Sequence, residues 1–407
     1  MPDHQRPTVC VDIAIIGGGV AGLWLLNRLC RAGYNAVLLE HKALGSEQTI
    51  ASQGMIHGGI KYTLGGALSG ASQAVADMPE HWRNCLAGQG DVDLRGARVL
   101  SDHFYLWSSA SVTSRMATFL GSKATRGRVE RVAAAERPAL FQEARFKGDL
   151  YKLVDIVLDV PSVVRALADN YRERIFLLDW QQATWAQLAN GHTALNLNDP
   201  ARPCQLQADA FVLCAGQGNA GLLASLGAAQ PRMQRRPLQQ VMVRHQHPHS
   251  FYGHCLGVES VPRLTISSHP GGDGSQVWYL GGSLAERGAQ QNASELIAHA
   301  QRELTELMPW VELGSAQWAT LKVDRAEPLQ RNFARPDQAF ARWASDCANV
   351  IATWPTKMTL APNLAAQVLT LLADKGCTAS GLAAVDLPLA APPLAATPWQ
   401  QAFGGPR

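Results

Sequence analysis

Val11-Asp-Ile-Ala-Ile-Ile16 runs directly into Gly17-Gly-Gly19-Val-Ala-Gly22, and a second apolar run, Ala36-Val-Leu-Leu39, ends on Glu40. The first run has the length of a strand and the second segment is G-x-G-x-x-G. The residues after Gly22 read as a helix that closes at Gly33. Strand, glycine turn, helix, strand and acid, in this order, compose a β-α-β unit that binds an adenine dinucleotide. Gly17 permits the tight turn, Gly19 lets the backbone approach a pyrophosphate, and Gly22 lets the helix pack closely on the strand. The helix N-terminus presents free N–H groups and the positive end of its dipole to the phosphates. Glu40 is placed to accept hydrogen bonds from both ribose hydroxyls and to repel a 2′-phosphate.

Working outward, the chain has 407 residues, enough for about two to three domains. Its 36 basic and 33 acidic residues nearly balance, which points away from a nucleic-acid partner. Charged residues make up 17% and hydrophobic residues 47%, a composition that calls for a large buried interior. No apolar run reaches the length of a membrane span, and Met1-Pro-Asp-His-Gln-Arg6 lacks the apolar region of a signal peptide. The eight cysteines include no C-x-x-C pair, so reduced, buried thiols and a cytoplasmic location are expected. Peripheral membrane contact is left open.

The glycine- and serine-rich stretch from Gly45 to Gly70 is longer than an ordinary connection and marks a functional loop. Asp159-Val-Pro161 opens a helix, and Asn190-Gly191 is a hairpin turn between Ala183–Leu188 and Thr193–Leu197. Ala208–Cys214 and Val350–Ala352 read as buried strands. Asn292 and Glu295 have capping-box spacing ahead of an amphipathic helix. The natural division is a discontinuous dinucleotide domain, residues 1–84, 150–224 and 326–380. Residues 85–149 and 225–325 form a β-rich substrate domain inserted in it, and the alanine- and proline-rich 381–407 is a tail with little core of its own.

At Ala51-Ser-Gln-Gly-Met-Ile-His57-Gly-Gly-Ile-Lys61-Tyr62 the chain resembles the D-amino-acid oxidase/glycerol-3-phosphate dehydrogenase superfamily of glutathione-reductase-like flavoenzymes. The motifs are closest to its glycerol-3-phosphate and L-2-hydroxyglutarate dehydrogenase branches. Three further stretches agree, in family order: Val212-Leu-Cys-Ala-Gly-Gln-Gly218, Val323-Asp-Arg325-Ala-Glu-Pro328 and Trp354-Pro-Thr-Lys357-Met358-Thr359-Leu-Ala-Pro362. The resemblance implies an α/β fold, a Rossmann-type FAD-binding domain with an inserted β-rich α+β substrate domain. It also implies that FAD is contacted at Ser52, Gln53, Gly54, Gly216, Lys357, Met358 and Thr359, beside Gly17, Gly19, Gly22 and Glu40. Two departures stand out. The glycine-rich approach to the last helix is here Trp354-Pro355-Thr356, and the arginine strand reads Asp-Arg-Ala-Glu-Pro.

By the same resemblance, Lys357 lies at the flavin pyrimidine edge, where a cation favours the anionic reduced ring; otherwise it is a loop lysine before a helix. Thr359 is either a flavin contact or a helix cap. His57 lies beside the ring as a base or orienting donor for a substrate hydroxyl, or is a loop residue bonded to backbone. Arg325 and Lys61 suit an anionic substrate, the arginine as a planar fork and the lysine as a point charge. Ion pairing of Arg325 with Asp324 or Glu327 is the plain alternative. His245, His247, His249 and His254 lack the paired spacing of a zinc site, and no metal is expected.

These residues describe an FAD-dependent oxidoreductase that dehydrogenates a small anionic metabolite, a 2-hydroxy acid or a glycerol-phosphate-like molecule. His57, Arg325, Lys61 and Lys357 carry the catalysis. An amino-acid or amine oxidase of the same superfamily is the alternative, and a non-catalytic or macromolecule-modifying flavoprotein is the rival from another class. The electron acceptor is oxygen, a quinone or another carrier.

Overall fold

The computed structural model describes residues 6–59, 75–108, 129–257 and 261–404. Lys61 and the following part of the glycine-rich loop lie outside them.

Thr8–Ile16 is the central strand of the first sheet, parallel to Ala36–Glu40 on one side and to Cys204–Leu213 on the other. Ile175–Leu177 extends the parallel set beyond Ala36–Glu40, and Val350–Trp354 pairs in parallel with Cys204–Leu213. The hairpin Ala183–Gln187/Thr193–Leu197 pairs with the first half of that strand, as the Asn-Gly turn anticipates. Alternation decides the two faces. Ile13 and Ile15 point to a core shared with Trp24, Val163 and Leu364 of the helices Val20–Arg31, Val160–Asp169 and Ala361–Asp374. Ala14 and Ile16 point to the opposite core with Phe211, Leu213 and Trp354. Both faces are covered, which is why these strands read as near-continuous apolar runs.

The second sheet has eight strands, running from Gln317–Pro328 through Met233–His245, Gln276–Gly281, Leu264–Pro270, Gly253–Leu256, Phe104–Ser108 and Leu150–Leu153 to Val129–Arg131. The helix Ala293–Leu307 buries Leu296, Ala300 and Leu304 against Val241 and Trp278, and Asn292 and Glu295 form the expected capping box. A small sheet of Met55–Ile56, Ile156–Leu158 and Val99–Ser101 carries the His57 loop.

One expectation is corrected. Leu150–Leu153 pairs within the second sheet, so the chain returns to the dinucleotide fold only after it. Residues beyond 380, largely exposed and with little core of their own, are nonetheless fastened down. Backbone bonds fasten them to the dinucleotide domain, from Leu44 N to Pro393 O (2.8 Å), Leu177 N to Ala390 O (2.6 Å) and Ala395 N to Leu44 O (3.0 Å). The short helix Pro398–Phe403 then buries Trp399 against Met242, Val277 and Tyr279 of the second sheet. The segment is a strap across both domains.

Candidate active site

The fingerprint adopts the geometry its spacing requires. Gly17 sits at φ +116°, and a Cβ there would lie 2.7 Å from the Cys214 carbonyl. A Cβ on Gly22 would lie 2.0 Å from the Gly17 oxygen, so the helix closes on the turn only with glycine. Gly19 is the helix cap and offers no side chain; the Val20 N–H donates instead to Thr49 Oγ1 at 3.1 Å. Glu40 is buried and accepts from Gly18 N (2.6 Å) and Lys42 N (2.8 Å). Its carboxylate keeps further lone pairs for ribose hydroxyls. A cavity of about 550 Å³ opens on the same turn, bordered by Gly17, His41, Trp180, Trp185 and Ala215. A helix end whose cap residue is a glycine without a side chain, a buried acid and an aromatic-walled cavity fit the phosphates, ribose and adenine of FAD.

From Gly19 a second cleft, of about 290 Å³, leads between the two domains. Gly19, Ser52, Gln53, His57, Gly216, Arg325, Lys357, Met358 and Thr359 all line it. These residues come from separate motifs and two sheets, and the fold brings them to one place. Gly54 lies behind the wall, where a Cβ would strike the Leu158 carbonyl at 2.0 Å. Gln53 reaches across the domain boundary, donating to Tyr279 O at 2.7 Å and to Ser267 Oγ at 3.3 Å. Ser52 Oγ contacts the Met358 sulfur at 3.6 Å.

Thr359 is fully buried and does not cap the helix. Its hydroxyl accepts from His57 N (3.4 Å) and donates to Met55 O (3.3 Å), stitching the His57 loop to the segment before the last helix. Asp155 accepts from Gly58 N at 2.9 Å and holds the other side of the loop. His57 is thus a buried imidazole on a tethered backbone.

Arg325 donates to Arg236 O at 3.3 Å and to Glu286 at 3.5 Å. Its expected alternatives pair elsewhere: Glu327 takes both Nε (2.9 Å) and Nη2 (2.8 Å) of Arg236, and Asp324 lies 3.6 Å from Arg235. Burial, then Arg236, lowers Arg325 to about 10, and Glu286 opposes the shift. The Lys357 ammonium donates to Pro336 O (3.3 Å) and Asp337 O (3.2 Å), and burial followed by Arg335 lowers it to about 8. A low-dielectric cleft disfavours each of these charges until an anion shares it.

The departure at Trp354-Pro355-Thr356 has a structural answer. Thr356 takes φ +60°, a left-handed conformation that favours glycine, and its hydroxyl donates to Gln338 O at 3.1 Å. The backbone keeps a glycine-like path, at a strain of about 1–3 kcal/mol. Trp354 does not face solvent; its Nε1 donates to Gly216 O at 3.1 Å and ties the Gly216 turn to the segment before the last helix.

Several residues of the cleft lie outside the quoted motifs: Gln48, whose Oε1 accepts from Ala326 N at 3.0 Å, and Thr49, both within the Gly45–Gly70 loop, and Gln240 and Arg335. Among the described residues one group of potential metal ligands, His81, Cys85 and Asp91, comes within 4.8 Å. Arg28 binds the same carboxylate at 2.6 Å, which makes the group an ion-pair network. No helix among the described residues is long and apolar enough to cross a membrane.

Comparison with known proteins places this geometry. Residues 12–335 match the family model described as DAO, FAD dependent oxidoreductase. The chain is 46% identical over 393 residues to a protein of Pseudomonas aeruginosa named probable FAD-dependent oxidoreductase PA4991, an alignment covering 96% of this chain and 98% of that one. The crystal structure of that protein superposes with a TM-score of 0.83 at 42% identity, over 99% of this chain and 100% of the other. At 14–16% identity the fold is shared with L-alpha-glycerophosphate oxidase of Mycoplasma pneumoniae, solved with FAD bound (TM-score 0.64, 90% and 95% covered). Glycine oxidase of Geobacillus kaustophilus is a similar case, with a TM-score of 0.65 over 93% and 97% of the chains. The fingerprint, the cleft and these similarities together identify the chain as a member of the DAO family of FAD-dependent oxidoreductases.

Proposed function

We propose that this oxidoreductase dehydrogenates a small anionic metabolite at a carbon bearing a hydroxyl group, in the manner of a 2-hydroxy acid or glycerol-phosphate-like substrate. The observation that carries the reading is the meeting of Arg325, Lys357 and His57 in one small buried cleft beside the cofactor segments. FAD, when bound, supplies the hydride acceptor. Arg325 binds the substrate anion through its planar fork and sets which C–H bond faces the cofactor. His57 accepts the hydroxyl proton, since a neutral imidazole near physiological pH is suited to general-base work. Lys357 keeps a positive charge in the cleft where negative charge develops. Lys61 is a further candidate cation on the same loop. Oxygen, a quinone or another carrier is the electron acceptor in this reading.

The test is anaerobic. FAD-loaded protein is mixed with 2-hydroxy acids, glycerol phosphates and amino acids, and the visible flavin band is followed. Rapid bleaching by a hydroxy compound, lost roughly 100-fold or more in His57→Gln, is the expected result. Bleaching by amino acids alone, with H57Q unimpaired, transfers the assignment to amine oxidation. If dithionite bleaches the flavin and no metabolite of the three classes does, the proposal fails.

A further inference from the structure

Gln317–Pro328, the strand that carries Arg325, is the edge of the second sheet and pairs on one side, with Met233–His245. An edge strand leaves alternate N–H groups without a neighbouring strand. The N–H of Ala326, a buried residue next to Arg325, donates to Gln48 Oε1 at 3.0 Å. Gln48 belongs to the cofactor domain, so at this rung a side chain stands where another strand would and crosses the domain boundary. Within its own domain the Arg325 guanidinium is held loosely, at 3.3 Å from Arg236 O and 3.5 Å from Glu286.

The two ends of the Gln48 bond are anchored unequally. The loop end is fixed on the glycine turn by other bonds, from Gly45 N to Gly18 O (2.8 Å), Val20 N to Thr49 Oγ1 (3.1 Å) and Ile50 N to Gly45 O (2.8 Å). Glu47, just before Gln48, takes a left-handed φ of +60°, and Lys42 Nζ (2.6 Å) and Ala51 N (3.2 Å) hold it there. Strain of this kind persists only where its surroundings fix it. Removing the Gln48 oxygen therefore leaves the loop in place and releases the strand. We propose that Gln48 is a positioning residue for the substrate anion: by holding Ala326 it fixes where the Arg325 fork stands against the cofactor segments. A guanidinium must form two parallel bonds to a carboxylate at once and needs a fixed origin, whereas a lysine ammonium on its flexible stem reaches its partner from a displaced backbone. This inference rests on the reading of Arg325 as the anion holder and adds to it the residue that aims it.

The experiment reads binding, so it needs no turnover. Holoprotein at fixed ionic strength and pH 7 is titrated with acetate, following the perturbation of the visible flavin spectrum, and FAD affinity is measured beside it. Gln48, Ala51 and Val323 border both the cleft and an adjoining cavity of about 590 Å³, so a short side chain at 48 would open one into the other. Gln48→Met keeps the length and removes the oxygen. Expected in Q48M is acetate binding about tenfold weaker, with FAD affinity within about twofold of the wild type. In an Arg325→Lys background the same substitution is expected to cost about twofold or less. Unchanged acetate affinity in Q48M, an equal loss of acetate and FAD affinity, or the full tenfold loss in the R325K background overturns the inference. If Q48M folds poorly, amide exchange of the wild type decides. Anion binding and the Ala326 bond are then coupled reciprocally, so saturating acetate slows exchange at Ala326, and an unchanged rate overturns the inference. Failure of acetate to bind the wild type, or equal binding by Arg325→Gln, removes the anion reading of Arg325 itself, and this inference with it.

Discussion

Arg325 stands in register with Arg236 across the antiparallel pair Gln317–Pro328 and Met233–His245. Two like charges at one rung repel, and two different carboxylates make the rung tolerable. Glu327 is buried and grips Arg236 with both oxygens; Glu286 lies between the two arginines at 3.5 and 3.9 Å and is partly exposed.

The two acids therefore differ in weight. Glu327→Gln leaves the half-buried guanidinium of Arg236 without its bidentate carboxylate and costs about 2 kcal/mol. Glu286→Gln costs about 1 kcal/mol or less, and its effect fades as salt is raised. Urea unfolding of both variants at low and high salt checks the order. Equal losses, or a salt-sensitive Glu327 effect, would contradict it.

Lys357 sits at about 8 in the folded protein, against the ordinary lysine value of 10.5. Between those values the unfolded chain holds a proton that the folded one has released, so this lysine makes the fold more stable as pH rises through the window. Anion binding moves the opposite way, since the charge fades above pH 8. Affinity for a small carboxylate such as acetate, measured from pH 6.5 to 9.5, is expected to weaken above pH 8 in the wild type and to lose that step in Lys357→Gln.

His81 is raised to about 9 by its hydrogen bond to Asp91, with Cys85 contributing, and Asp91 is lowered to about 2. The histidine's contribution is complete below its ordinary value of 6.5 and disappears as pH climbs through 9. The aspartate's contribution is complete above 3.8 and disappears as pH falls through 2. Thermal melts of wild type and His81→Gln should differ most between these two ordinary values and converge near pH 9. A gap that persists at pH 10 would show that packing against Trp24, and not charge, is the role of His81.

Trp399 stacks on His269 at 4.6 Å and 27° and packs behind Tyr279, whose hydroxyl lies 2.7 Å from Gln240 Oε1 and 3.0 Å from Ala51 O on the wall of the cleft. Trp399→Ala is expected to cost about 3 kcal/mol and to raise the FAD dissociation constant, with Trp399→Phe intermediate. FAD retention after ultrafiltration, measured beside the melting temperature, separates the two effects; unaltered retention in W399A would confine the strap to stability.

The dinucleotide unit was legible because its glycines answer to backbone geometry that no other residue satisfies, as Gly17 and Gly22 show. His57, Arg325 and Lys357 were legible through motifs, and the cleft unites them. Arg335 was not, since it lies on an irregular loop whose left-handed residues are asparagine and phenylalanine, without the glycine that announces such a turn. Glu286 was hidden for another reason: it pairs with Arg325 from a short helix on a different part of the chain, while Asp324 and Glu327 sit beside it in sequence. Composition showed that the segment after residue 380 has little core of its own but not that it is a strap, because its anchors at Ala390, Pro393 and Ala395 are backbone groups that any sequence carries.

The strand Val350–Trp354 pairs with Phe211–Leu213, and Trp354 ties to Gly216, so the last parallel strand of the cofactor sheet arrives late in the chain. On the ribosome the glycine fingerprint is made first and then waits. The second sheet also waits, since Phe104–Ser108 pairs in parallel with Gly253–Leu256 and Met233–His245 with Gln317–Pro328, and the cofactor sheet gains its strand later still, after residue 354 has left the tunnel. Flavin capture is thereby a late event in the life of the nascent chain, and a ribosome stalled before that point would display the fingerprint without its completed sheet.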